Sequence, residues 1–241
     1  MYLYGKHSVY ERLRYNPASI RQIFLDKDFR EPQLEALIAQ SRIPAQRLAK
    51  KALFNIKRSD SLQGIVAKVD AFAYAGFDDL LHQASGKKHS FIFLDRIFDP
   101  QNLGAILRLA ACFGSFNLVI PKHEACEVTE TALHIACGGE NFTPVAQVAN
   151  LRNALLSVKE SGYWAYGAML DAAQDLASTK LLFPLCLVLG CEGSGVRYGL
   201  QKHLDVRVTI PMPGARLSFN VTAACAIFCY EIVRQRLVDC K

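Results

Sequence analysis

The sequence predicts an α/β protein: a mostly parallel sheet in the larger C-terminal part, preceded by a small N-terminal α/β module. Three observations carry this reading. Beyond residue 88, short apolar runs of strand length alternate with helical patterns, the arrangement that builds parallel sheets. Three of those runs, ending at Leu94, Leu189 and Ile210, open into loops rich in Gly, Pro and polar side chains. The charge is also uneven, because residues 1–75 hold 13 Lys and Arg against 7 Asp and Glu, whereas residues 76–241 hold 15 of each.

At 241 residues, with 51 % apolar and 21 % charged residues, the chain can bury a core without staples, and disorder, collagen and coiled coil are excluded. The apolar stretches Leu181–Leu189 and Val221–Tyr230 are interrupted by Pro184 and Thr222 and fall short of the ~20 residues of a membrane span. The opening MYLYGKHSVYERLR is charged by its sixth residue and lacks an apolar signal core. A cytoplasmic protein with no membrane partner is expected. Eight cysteines, at 112, 126, 137, 186, 191, 225, 229 and 240, form no C-x-x-C pair and read as small core hydrophobes, so no metal is expected. Cys225 and Cys229, four apart on a predicted helix, read as packing.

In the first part the pattern gives a helix over His7–Arg14, a strand over Gln22–Leu25, a helix over Pro32–Gln40 and a closing strand over Gly64–Val69. The excess of +6 on this part points to a polyanion, and nucleic acid is the commonest. Residues 71–87 pass from an apolar alternating run through a short helix-like piece to a turn-rich end and read as a linker. The expected division is therefore 1–70, 71–87 and 88–241. In the last part, strands are predicted at Phe91–Leu94, Leu118–Ile120, Val145–Val148, Trp164–Gly167, Cys186–Leu189 and Arg207–Ile210.

Three clusters follow strand ends. In the first, Asp99-Pro100 makes a turn and Asn102 is expected to cap a helix that carries Arg108 nearly two turns in. This places polar groups at the carboxyl end of a strand, where open α/β sheets bind ligands; a capped helix with a surface arginine is the alternative. The second is Gly190-Cys191-Glu192-Gly193-Ser194-Gly195, which is neither a Rossmann fingerprint, since Tyr198 occupies the third glycine position, nor a Walker loop. Its glycines imply close approach of the backbone to something, with Glu192 alongside. The third is Ile210-Pro211-Met212-Pro213-Gly214-Ala215-Arg216-Leu217-Ser218-Phe219-Asn220, followed by a helix to about Val238 with an apolar stripe at 221, 224, 225, 228 and 232. Ser218 and Asn220 are read either as caps of that helix or as site residues.

Taken together, the order Asn-x-Gly-x-x-x-Arg, Gly-x-Glu-Gly-x-Gly, then Ile-Pro-Met-x-Gly with Ser-x-Asn resembles the signature of the SpoU branch of the SPOUT methyltransferases, which 2′-O-methylate RNA ribose. Tyr4-Gly5-Lys6-His7-Ser8-Val9 and Gln63-Gly64-Ile65-Val66-Ala67 resemble the N-terminal, ribosomal-protein-like RNA-binding domain of the bacterial 23S ribosomal RNA guanosine 2′-O-methyltransferase subgroup. The resemblance implies a trefoil-knotted C-terminal domain, S-adenosylmethionine as cofactor, 23S ribosomal RNA as substrate and a homodimer with its active site near the partner subunit. It implies a cofactor pocket involving Gly190, Gly193, Ile210, Met212, Ser218 and Phe219. It implies a catalytic set of Arg108, Glu192, Ser218, Asn220 and Asn102. Phe219 stands where the family usually has Leu, Cys191 where Ser or Ala is common, and Leu62 where a His often precedes Gln-Gly. The family assigns the proton to Arg108, yet a free arginine stays protonated. The reading adopted is that cationic Arg108 holds the target phosphate and lowers the hydroxyl pKa, with Glu192 orienting Arg108 or another basic group. A transfer RNA methyltransferase of the same superfamily and a non-catalytic knotted RNA-binding protein are the alternatives.

Overall fold

The computed structural model describes residues 1–87, 89–172, 174–214 and 217–239, the side chains of residues 85–87 and 239 excepted. Arg216 and Cys240 thus lie outside the described residues.

The N-terminal unit runs β1 (Tyr2–Tyr4), α1 (Lys6–Tyr15), β2 (Ile20–Asp26), α2 (Pro32–Ser41), β3 (Ala45–Leu48), α3 (Lys50–Ile56) and β4 (Ile65–Val69). Its sheet has the order β1-β4-β2-β3, with β4 antiparallel to both neighbours and β3 parallel to β2. The four predicted elements are present. The sequence pattern missed β1, β3 and α3, and β3 shows why: Ala45, Gln46 and Arg47 are all exposed, so the strand carries no alternation to detect. Gly5, at φ +88°, turns β1 into α1, and the amide of Lys6 donates to Gln63 Oε1 at 2.8 Å. The two N-terminal stretches singled out in the sequence therefore meet.

The helix-like piece of the 71–87 segment is a full helix, α4 (Phe77–Lys87). Asp78 and Asp79 suit its first turn, and Leu80 and Ala84, one turn apart, are buried beside Phe91 and Phe93. Just before it, the amide of Ala75 donates to the Val145 carbonyl at 2.9 Å. This segment belongs by packing to the C-terminal core.

The C-terminal unit continues with β5 (Ser90–Asp95), α5 (Pro100–Phe113), β6 (Phe116–Pro121), α6 (Glu130–Ala136), β7 (Val145–Val148), α7 (Leu151–Glu160), β8 (Trp164–Ala168), β9 (Gln174–Asp175), β10 (Leu185–Gly190), α8 (Tyr198–Gln201), β11 (Val206–Thr209) and α9 (Val221–Asp239). The strands lie in the order β7-β6-β5-β10-β8-β11-β9, every pairing parallel. Buried on both faces, β5, β6 and β10 read in the sequence as continuous apolar runs. The two-residue β9 was too short to signal. Because β10 enters between β5 and β8, the carboxyl ends of β8, β10 and β11 gather at one place.

The stripe of α9 is core: Cys225, Phe228, Cys229 and Ile232 are buried, with the Cys225 and Cys229 sulfurs 3.8 Å apart. Among the described residues no three His, Cys, Asp or Glu side chains converge as a metal set, and no helix is long and apolar enough to cross a membrane.

Polar groups join the two units. Arg12 of α1 donates to Glu140 Oε1 at 2.9 Å with both side chains buried. His134 of α6 stacks on Tyr4, centroids 4.2 Å apart, and its Nδ1 lies 3.0 Å from the Tyr4 carbonyl. Glu130 accepts from the Tyr2 amide at 2.6 Å and pairs with Lys57.

Candidate functional site

The glycine loop leaves β10 at Gly190, doubles back through an isolated bridge between Cys191 and Gly195, and places Gly193 and Gly195 at φ +91° and +62°. A Cβ on Gly190 would stand 2.0 Å from the Gly195 carbonyl carbon, so only glycine lets the two strands of the loop touch. Bare backbone consequently forms one wall of a cavity of about 290 Å³, near the lower end for small-molecule sites. Ile210, Met212, Ser218, Phe219 and Phe228 supply other walls, so all six residues expected to hold a cofactor line this one cavity. Its charge is distinctive. Glu192 and Asp171 line it, and among the described lining residues there is no Lys, Arg or His, a setting that favours a cationic ligand.

Asn102 is not the cap of α5. Asp99 caps it, accepting from the Gln101 amide at 2.8 Å, and Pro100 takes the first helical position. The Asn102 side chain is thereby free to bridge two motifs: its Nδ2 donates to Glu192 Oε1 at 3.2 Å, and its Oδ1 accepts from Thr222 Oγ1 at 3.0 Å. Within this chain Glu192 is thus held by Asn102, while Arg108 lies in another cleft. Asn220 caps α9, accepting from the Ala223 amide at 2.8 Å.

Arg108 stands apart from the cofactor cavity. Six residues beyond Asn102, about 9 Å along α5, it is exposed, with Nη1 3.6 Å from Cys137 Sγ, and lines a second cleft against α1.

Three further residues, Asp95, Arg96 and Arg197, fix the base of the glycine loop. Asp95, fully buried at the end of β5, accepts from the Arg197 amide at 2.7 Å and from Arg197 Nε at 2.6 Å. Arg96, at φ +60°, donates through Nη2 to Ser194 Oγ at 3.0 Å and to the Gly195 carbonyl at 3.2 Å. Arg96 thus braces the glycine loop directly, and Arg197 fastens the residue that follows the loop to the end of β5. A carboxylate ending the apolar run Phe91-Ile92-Phe93-Leu94 was the available signal, since a buried Asp requires a partner.

Residues 89–230 match the SpoU rRNA Methylase family, and residues 2–75 match the family of RNA 2′-O ribose methyltransferase substrate-binding domains. Over 240 residues the chain is 33 % identical to the 23S rRNA (guanosine-2′-O-)-methyltransferase RlmB of Photobacterium profundum, covering 98 % of both. It is 32 % identical over 240 residues to the protein of the same name from Haemophilus influenzae, again covering 98 % of both. The SpoU methyltransferase AviRb of Streptomyces viridochromogenes, solved in complex with AdoMet, superposes with a TM-score of 0.82 at 20 % identity, covering 98 % of this chain and 90 % of that one, and so shares the fold. With the second and third signature clusters lining one cavity, and both parts of the chain matching family models, the chain belongs to the SpoU rRNA methylase family.

Proposed function

We propose that the protein transfers a methyl group from S-adenosylmethionine to a ribose 2′-oxygen of RNA, with a guanosine of 23S ribosomal RNA as target. The observation that carries this reading is the cavity beneath the glycine loop, two carboxylates and no basic side chain among its described lining residues, which suits a sulfonium cation. When bound, S-adenosylmethionine supplies an electrophilic methyl group on a good leaving group. What remains for the chain is alignment and removal of the hydroxyl proton.

Gly190 and Gly193 offer backbone to the cofactor, and Ile210, Met212 and Phe219 offer apolar walls. Glu192, held by Asn102, and Ser218 set its orientation, while Asn220 fixes the start of α9 behind them. Arg108 remains cationic, grips the phosphate beside the target ribose and stabilises the developing alkoxide, the proton passing to water or a neighbouring group.

Arg108 and the cofactor cavity open into different clefts of one chain, which supports a homodimer in which each subunit's Arg108 serves its partner's cofactor. The outward residues Tyr230, Leu237 and Val238 of α9 support the same reading. Ile227 of the same helix is half-buried and packs against the main core. The trefoil threading is inferred with the family, and the insertion of β10 between earlier strands, with α9 packed on α5, supports it. Residues 1–70 capture RNA, in the cytoplasm where ribosomes assemble. Transfer of labelled methyl from S-adenosylmethionine to 23S fragments but not to bulk transfer RNA is the expected result. The reverse preference would assign a transfer RNA substrate, and cofactor binding without transfer to either would leave a binding protein.

A further inference from the structure

The second cleft, about 490 Å³, is built by both units: His7, Glu11, Arg14 and Tyr15 of α1 face Arg108, Cys112, Cys137 and Phe142. Its rim is aromatic. Tyr15 and Phe142, one from each unit, are half-exposed and meet edge to face with centroids 4.5 Å apart. The Arg14 guanidinium lies over the Tyr15 ring at 5.3 Å and has no carboxylate partner among the described residues. Glu11 reaches the cleft across Gly138, where a Cβ would stand 2.3 Å from the Glu11 Cβ. Its carboxylate likewise has no partner among the described residues. Two cations, a stacking surface and a lone acceptor around one cavity match what an unpaired nucleotide presents: phosphate, a π face and a base edge.

We propose that this cleft seats an unpaired guanosine of the RNA, its base on Tyr15 and Phe142, its phosphate between Arg14 and Arg108, and its Watson–Crick edge on Glu11. A carboxylate only accepts hydrogen bonds. Guanine offers it two adjacent donors, N1–H and the 2-amino group, whereas adenine turns the acceptor N1 toward it. Glu11 is therefore a specificity residue, and the Tyr15–Phe142 pair is a platform that exists only while the two units are docked. The proposal rests on the RNA methyltransferase reading but is tested without turnover.

The test is fluorescence anisotropy of the full-length protein, without cofactor, with short labelled single-stranded RNAs that differ in one central G or A. The wild-type protein is expected to favour the G strand by roughly ten-fold. Tyr15→Ala with Phe142→Ala is expected to weaken both strands by ten-fold or more, and Tyr15→Phe with Phe142→Tyr to restore them. Glu11→Gln is expected to lose most of the preference while binding the A strand at least as well as the wild type. An alanine pair binding within two-fold of the wild type, or a preference that survives Glu11→Gln, overturns the proposal. Binding as expected without methyl transfer to any RNA keeps the cleft and removes the enzymatic reading. Methyl transfer by an alanine pair with unweakened RNA affinity does the opposite.

Discussion

Arg12 and Glu140 form a buried ion pair across the boundary between the two units, Nη2 to Oε1 at 2.9 Å. Glu140 belongs to the turn whose Gly139 backs directly onto Arg108: a Cβ there would lie 3.0 Å from the Arg108 Cα. The pair thus ties the N-terminal unit to the helix that presents Arg108. Replacing one partner leaves the other charge buried and uncompensated, which costs about 3–5 kcal/mol. Arg12→Met is expected to lower the urea midpoint accordingly, with the double variant Arg12→Met, Glu140→Leu recovering most of the loss. Equal midpoints for wild type and single variant would show that the pair contributes nothing.

Gly190→Ala should abolish cofactor binding while the protein stays folded. The added methyl meets backbone, not a yielding side chain, so the glycine loop must move away from the cavity. Isothermal titration with S-adenosylmethionine checks this, with circular dichroism as the control. Glu192→Gln, which keeps a partner for Asn102 but removes the charge, should weaken binding less.

The truncation 88–241 is expected to be less stable than 71–241. The shorter chain lacks α4 and uncovers the surface that Leu80 and Ala84 bury, and a fully buried leucine alone contributes about 1.5–3 kcal/mol. Both truncations should bind RNA weakly and with a shallow salt dependence, since the net charge of +6 falls to zero in 71–241 and to +1 in 88–241. Thermal melts and RNA titrations at two salt concentrations separate these effects.

Burial opposes ionisation of Glu130, but the hydrogen bond from Lys57, the Tyr2 amide and the Lys57 charge outweigh it and hold the carboxyl below its ordinary value. A carboxyl lowered in the folded state adds stability above its unfolded pKa of about 4.3 and loses it as pH falls through the lowered value. Wild-type stability should therefore drop more steeply than that of Glu130→Gln across this acid window, as urea midpoints at successive pH values would show. Parallel curves would remove Glu130 from the acid response.

Much of this was legible in the sequence, for identifiable reasons. The central strands β5, β6 and β10 are buried on both faces and so read as apolar runs, and the residues of the cofactor cavity follow strand ends, where parallel sheets collect ligands. What stayed hidden depends on three-dimensional pairing. Asn102 read as a cap because its reach to Glu192 and Thr222 spans 90 and 120 residues. Likewise, no periodicity could show that Arg108 faces α1 and not the glycine loop, or that α4 packs into the core.

The separation of Arg108 from the cofactor cavity is the feature on which the dimeric mechanism stands. Arg108→Ala alone should lower methyl transfer by about 100-fold or more while leaving cofactor affinity within a few-fold, and Gly190→Ala alone should be inactive. Mixing the two inactive proteins and allowing subunits to exchange tests the mechanism directly. If each Arg108 serves its partner's cofactor, half of the dimers hold one intact site, and activity should return to about a quarter of the wild-type value. A mixture as inactive as its components, with exchange verified by mass, would contradict it and place Arg108 and cofactor in the same subunit's site.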